Sequence, residues 1–127
     1  MDKLKVILQN GSKEFFTEVE NYNPLTIVEE TKRIETLLVD IGGLIVNKYH
    51  IEYIDILDYK EPITTDNLTK LKIVLQNGGR ELFTYVDHFD SSEFIEQTMD
   101  FSTQVMAIGH LVVNKNHIEY VEKVTIK

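Results

Sequence analysis

The sequence predicts an α+β fold, mostly β, in which a small antiparallel ββαβββ unit occurs twice and the two copies pack as a pseudo-dimer. Three observations support this. Residues 4–53 align with residues 71–120 without a gap, and 23 of the 50 aligned pairs are identical. Short segments alternate apolar and polar residues, as half-buried strands do. Turn and capping residues recur at matching places, so we predict copies at 1–57 and 71–127 joined by a linker at 58–70.

The first predicted element of each copy is a β-hairpin. Leu4, Val6 and Leu8 stand at alternate positions, which places them on the core side of a strand. Asn10-Gly11 and its repeat Asn77-Gly78 tolerate the positive φ angles of a tight turn. The chain should therefore return as a second, antiparallel strand after each Asn-Gly pair.

A short helix is predicted after each hairpin. Asn23 followed by Pro24 is a typical helix start, and Asp90 followed by Glu93 is typical of a capped one. These signals predict helices over about residues 24–34 and 91–100. The side chains expected to face the core are Leu25, Val28, Phe94, Ile95 and Thr98.

Three further strands complete each predicted unit. In the first copy they occupy residues 37–41, 44–46 and 51–57, with Gly42-Gly43 as the turn between the first two. In the second copy the aligned turn is Gly109-His110. Because a unit of about 55 residues buries only about 60% of its unfolded surface, we expect the two copies to pack against each other.

The amino-acid composition argues against several classes of function. The net charge of −8 disfavours binding to a phosphate backbone, and residues 1–66 carry most of the negative charge. The absence of cysteine excludes disulfides, zinc–thiolate sites and cysteine nucleophiles. No signal-peptide pattern or apolar run of bilayer length is present, so we expect a cytoplasmic protein without a membrane segment.

Two short motifs occur in each copy: residues 6–11 with Phe15 and residues 46–54 in the first, repeated at 73–78 and 113–121 in the second. They resemble the first and second motifs of the Sm and Sm-like small β-barrel proteins. The resemblance implies a small barrel and single-stranded RNA binding through an arginine-glycine or lysine-histidine pair in the second motif. The residues Asn47-Lys48 and Asn114-Lys115 stand at that pair. The family's arginine and glycine are absent, and the helix predicted after residue 23 replaces a family strand.

The twin segments 47–53 and 114–120 contain the candidate binding residues. A cation beside an aromatic ring, such as Lys48 near Tyr53, can contact phosphate and stack on a base. His50-x-Glu52, with alternating side chains on one strand face, can supply part of a metal site, but no third ligand stands at a suitable spacing. The candidates are Asn47, Lys48, His50, Glu52, Tyr53, Asn114, Lys115, His117, Glu119 and Tyr120.

No catalytic residue, metal site or cofactor is predicted. His88 and His110 lack counterparts in the first copy, and neither stands beside a serine or an acid in a nucleophilic pattern. We therefore predict a non-catalytic protein that binds another protein, through an acidic first copy and a less acidic second copy. Single-stranded RNA binding is the first alternative, and a small metal protein or hydrolase is the second. The sequence leaves open a homo-oligomer.

Overall fold

The computed structural model describes residues 1–9, 12–64, 67–76 and 79–124, and it shows a mostly β, α+β protein with antiparallel strand pairs. The first half contains β1 (Asp2–Leu8), β2 (Lys13–Val19), α1 (Pro24–Thr31), β3 (Leu38–Ile41), β4 (Leu44–Asn47) and β5 (Ile51–Ile56). The second half contains β6 (Leu68–Leu75), β7 (Glu81–Asp87), α2 (Ser91–Gln97), β8 (Val105–Ile108), β9 (Leu111–Asn114) and β10 (Ile118–Lys123). The order of elements is therefore the same in both halves.

The ten strands of the described residues form three sheets, and one of these sheets contains strands from both halves. The orders are β2-β1-β5-β9-β8 in the largest sheet, β10-β6-β7 in the second and β3-β4 in the third. No sheet of the described residues closes into a barrel, so the barrel expectation is not confirmed. Nor does any helix of the described chain have the length and apolar character needed to cross a membrane.

The expected hairpins are present as strand pairs. β1 pairs with β2 from Asp2 opposite Val19 to Leu8 opposite Lys13, and β6 pairs with β7 in the same way. The Asn-Gly turns themselves, at 10–11 and 77–78, lie outside the described residues. β6 begins at Leu68, inside the stretch expected to be linker.

Both helices begin where the capping residues predict. Asn23 Oδ1 accepts the backbone N–H of Leu25 at 3.0 Å, and Asp90 Oδ1 accepts that of Glu93 at 3.1 Å. Each helix ends three residues earlier than expected. The expectation that Leu25 and Ile95 face the core is wrong, because both are exposed; on α1 the buried apolar residue is Val28.

Gly42 and Gly109 open the turns that follow β3 and β8, where the backbone has positive φ angles of 61° and 57°. A Cβ on Gly42 would lie 2.6 Å from Oγ1 of Thr17, and one on Gly109 would lie 2.0 Å from Oγ1 of Thr84. Glycine is needed at both positions because the turn passes directly over a threonine of the preceding hairpin.

Two hydrophobic cores hold the fold together, and each contains side chains from both halves. Val105 and Val112 of the second half are buried in the first core, among Leu4, Val28 and other residues of the first half. The second core in turn contains Ile7 and Tyr53 of the first half. The halves therefore stabilise each other by exchanging apolar side chains as well as by pairing β5 with β9.

Candidate functional site

Each twin segment forms the end of one strand, a short 3-10 turn and the start of the next strand. The asparagine that opens the segment caps the turn. Asn47 Oδ1 accepts the backbone N–H of Tyr49 at 2.9 Å, and Asn114 Oδ1 accepts that of Asn116 at 3.0 Å. Both predicted asparagines thus have a local structural role, in line with the turn preference of this residue.

The two predicted lysines also bind backbone. Lys48 is buried and its Nζ donates to the carbonyl of Arg33, in the segment that follows α1. Lys115 Nζ donates in the same way to the carbonyl of Asp100 after α2, and burial lowers the pKa of Lys115. Lys48 does not present a surface cation of the kind that phosphate binding needs.

Two side chains of the second twin segment contact the first half of the chain. Asn114 Nδ2 donates to the carbonyl of Ile51 at 3.1 Å, and His117 Nδ1 lies 2.9 Å from Oε2 of the buried Glu52. These contacts join the two halves beside the β5–β9 pair. We call this region, formed by residues 51–54 and 112–117, the internal junction.

His50, Glu119 and Tyr120 lie outside the internal junction and are exposed. His50 has Gln9 as its neighbour, with Nδ1 of the histidine 3.3 Å from Nε2 of the glutamine. His50 is exposed at the end of its turn whereas Glu52 is buried, so the expectation that they share one face is wrong. In the described part of the chain, no cluster of three or more His, Cys, Asp or Glu is placed to hold a metal ion.

Tyr53 is the aromatic residue of the internal junction. Its hydroxyl accepts a hydrogen bond from Nη1 of Arg80 at 2.9 Å, and the Arg80 guanidinium and the Lys5 ammonium each lie 5.7 Å from the ring centroid. Cations over the face of a ring stabilise it electrostatically. The ring is therefore enclosed by both halves and is not free to stack on a base.

A second polar cluster, centred on His110, was missed by the sequence analysis. Its Nδ1 lies 2.9 Å from Oγ1 of Thr84, its Nε2 lies 2.9 Å from Oδ1 of Asp55, and the ring of Tyr59 stacks on it with centroids 3.6 Å apart. No acid stands beside His110 in the sequence, but folding brings the carboxylate of Asp55 to it from 55 positions away. These residues are far apart in the chain, so no local pattern could have indicated the cluster.

The hydroxyl of Thr84, the imidazole of His110 and the carboxylate of Asp55 contact one another in the order found in a nucleophilic triad. Thr84, however, is buried, and its Oγ1 also accepts the backbone N–H of His110 at 3.2 Å. A nucleophile needs access to substrate, and this hydroxyl is covered by the turn that contains Gly109. The arrangement therefore fits a structural clamp between the halves better than a catalytic centre.

The backbone of His110 makes a further hydrogen bond between the two halves. The hydroxyl of Tyr22 donates to the carbonyl of His110 at 2.6 Å. Burial, followed by the nearby carboxylate of Asp55, raises the pKa of Tyr22 well above its usual value. The phenol therefore stays protonated and remains a donor throughout the neutral range.

Beside the cluster lies an open groove of about 470 Å³. Positive, negative and aromatic side chains face it together; they include Lys5, Arg80, Asp55, Glu61, Tyr59 and Tyr85. Because both charges are present, the lining favours no single class of small ligand.

No family model, curated protein or solved structure matches this chain. The resemblance of the two motifs to Sm-like proteins accordingly stays a prediction from the sequence.

Proposed function

We propose that this chain is a non-catalytic assembly protein that binds protein partners through two surfaces. The observation that supports this is that two strands, β4 and β10, are open on the edge at which the aligned strands, β9 and β5, pair with each other. β4 is hydrogen-bonded only to β3, and β10 only to β6, among the strands of the described residues. An open edge presents unpaired N–H and C=O groups, to which a partner strand can add.

Large apolar side chains accompany both edges. Ile45 on β4 is 63% exposed and Leu38 on β3 is also exposed. Ile95 on α2 is 57% exposed, and Tyr120 on β10 is exposed as well. We call Leu38, Ile45 and the open edge of β4 the hairpin face. We group Ile95, Tyr120 and the open edge of β10 as the helix–strand face, because the aligned elements α1 and β5 both contact β9. Apolar residues beside an unpaired edge favour a protein partner.

Charge also favours protein over nucleic acid. The chain carries a net charge of −8, which repels a phosphate backbone. Of the residues considered for RNA binding, Lys48, Glu52 and Tyr53 are buried. The first twin segment thus offers no surface lysine to RNA, and its predicted stacking residue, Tyr53, is buried.

The test is binding by variants of each face. The tagged wild type, Ile45→Glu and Tyr120→Glu would be compared for proteins retained from a cell extract, with circular dichroism confirming that each variant folds. Ile63→Glu is the matched control, because Ile63 is fully exposed and lies outside both faces. We expect some proteins, among them further copies of this chain, to bind the wild type and the control. The same proteins should not bind at least one of the two face variants.

Equal retention by all four proteins would contradict the proposal. RNA binding would show instead as retardation of a labelled single-stranded oligonucleotide at low salt. Such retardation should weaken steeply with salt and be lost when Lys48 and Lys115 are both changed to alanine.

A further inference from the structure

We infer that the partner at the two faces is a second copy of this chain, joined head to tail, with the helix–strand face of one molecule covering the hairpin face of the next. This inference rests on the proposed function and names the partner of the same surfaces. It comes from the internal junction, which shows how the two halves already bind each other.

The internal junction supplies the pattern. β5 of the first half pairs with β9, Tyr53 standing opposite Val113 and Ile54 opposite Val112. α1 packs on β8 and β9. A strand and a helix of the first half thus cover the β8–β9 hairpin of the second.

The chain contains the parts for a second junction of this kind. In the sequence alignment, β10 and α2 correspond to β5 and α1, and the β3–β4 hairpin corresponds to β8–β9. β10 and β4 do not pair with each other within the described chain. One junction is therefore used inside the molecule, while both of its counterpart surfaces remain open.

Burial differs between aligned residues in the way a missing neighbour would produce. Val112 is fully buried in the internal junction, whereas the aligned Ile45 is exposed. Tyr53 is 2% exposed, whereas the aligned Tyr120 is 44% exposed. On the helices, Val28 is buried and the aligned Ile95 is exposed.

The polar contacts of the internal junction also have counterparts of the same residue types. In the internal junction Asn114 binds the Ile51 carbonyl and His117 lies against Glu52, and outside it a further contact between the halves brings the hydroxyls of Thr31 and Thr103 to 2.7 Å. The aligned pairs are Asn47 with Ile118, His50 with Glu119, and Thr98 with Thr36. In each aligned pair one residue comes from each half, so each pair would join two molecules.

The cluster around His110 has no such counterpart. Gly43 is aligned with His110, and Phe89 is aligned with Tyr22, so the imidazole and the phenol hydroxyl are both missing. A junction between molecules would therefore lack the polar clamp of the internal one. We expect association that is reversible and depends on protein concentration.

The two faces differ, so the contact is heterologous and leads to a ring or an open filament. A symmetric two-fold dimer would place one face against the same face and would leave the other open. Because a heterologous contact needs both faces and a two-fold dimer needs only one, two variants that each damage one face distinguish these arrangements.

The experiment is mass measurement by size-exclusion chromatography with light scattering over a range of concentrations. The single chain has a mass of 14.8 kDa. We expect the wild type and the Ile63→Glu control to exceed this mass increasingly with concentration. Ile45→Glu and Tyr120→Glu, each with one damaged face, should remain at the mass of a single chain.

An equimolar mixture of Ile45→Glu and Tyr120→Glu is the decisive sample. The first variant keeps an intact helix–strand face and the second an intact hairpin face, so one junction can form. We expect a species of two chains and no larger one. An isologous dimer predicts that one variant alone still dimerises, and that outcome would overturn the inference.

A wild type that stays monomeric at all concentrations would also overturn it. If that monomer still retains other proteins through the two faces, the proposed function stands and only the identity of the partner is wrong. If it retains none, both proposals fail.

Discussion

Nδ1 of His117 lies 2.9 Å from Oε2 of Glu52, and the two residues are 65 positions apart in the chain. The sequence shows two similar His-x-Glu segments, His50 to Glu52 and His117 to Glu119. In the structure the glutamate of the first segment meets the histidine of the second. His50 and Glu119 are both left exposed, and head-to-tail association would bring them together between two molecules.

The first prediction concerns this contact. His117→Ala should lower the free energy of unfolding by about 1–3 kcal/mol, because it leaves the buried carboxylate of Glu52 with one partner fewer. The aligned His50→Ala should change it by less than about 0.5 kcal/mol, since His50 is exposed. Urea unfolding in a Tyr120→Glu background, where association does not contribute, measures both. Equal effects at the two histidines would contradict the prediction.

The second prediction concerns the hydroxyl of Tyr22. Tyr22→Phe should destabilise the protein by about 1 kcal/mol, because the carbonyl of His110 loses its donor between the halves. Tyr49→Phe is the control, since Tyr49 is exposed and its ring contact with Lys48 does not require the hydroxyl. Thermal unfolding followed by circular dichroism compares the two. A larger effect at Tyr49 would argue against the assigned role of Tyr22.

The third prediction separates the energetic cost of a left-handed backbone from the cost of a steric clash with the added Cβ. Gly79 and Gly109 have similar φ angles of 61° and 57°, yet only Gly109 has a threonine hydroxyl where a Cβ would lie. Gly79→Ala should cost about 1–2 kcal/mol for the left-handed backbone alone. Gly109→Ala should cost clearly more, because the turn must also move away from Thr84. Chemical denaturation of both variants checks the order, and equal costs would refute it.

The fourth prediction concerns strand register between molecules. By alignment with the β5–β9 pair, Val121 of one molecule should stand opposite Ile45 of the next. Because the chain has no cysteine, Val121→Cys mixed with Ile45→Cys should give a disulfide-linked dimer of the two variants under mild oxidation.

The control for this cross-link is Val121→Cys mixed with Ile63→Cys, since Ile63 is exposed but lies outside both faces. Non-reducing electrophoresis should show much less dimer in the control mixture. Equal cross-linking in both mixtures would mean that the strands do not meet in the expected register.

Much of the local structure could be predicted from the sequence because its causes are local. Asn23 and Asp90 begin the helices by accepting backbone N–H groups that lie within three residues. Gly42 and Gly109 mark turns that need positive φ angles. Leu4, Val6 and Leu8 are buried as their spacing predicts.

The sequence indicated where the candidate site residues lie, in two similar segments, but it did not indicate what each residue does. Lys48 is buried against the carbonyl of Arg33, a contact made across 15 positions of the chain. The cluster of Thr84, His110 and Asp55 comes from three elements and left no sequence pattern. Side chains brought together by folding carry no spacing signal.

The sequence by itself determined the mostly β, α+β class, the helix starts and the turns, since each depends on neighbouring residues. Only the tertiary structure decided which strands meet across the halves. Tyr53 and Tyr120 stand in nearly identical local sequences, yet the first is buried and the second exposed. The physical reason is that burial depends on what packs against a residue, and β9 covers β5 while no strand of the described chain covers the open edge of β10.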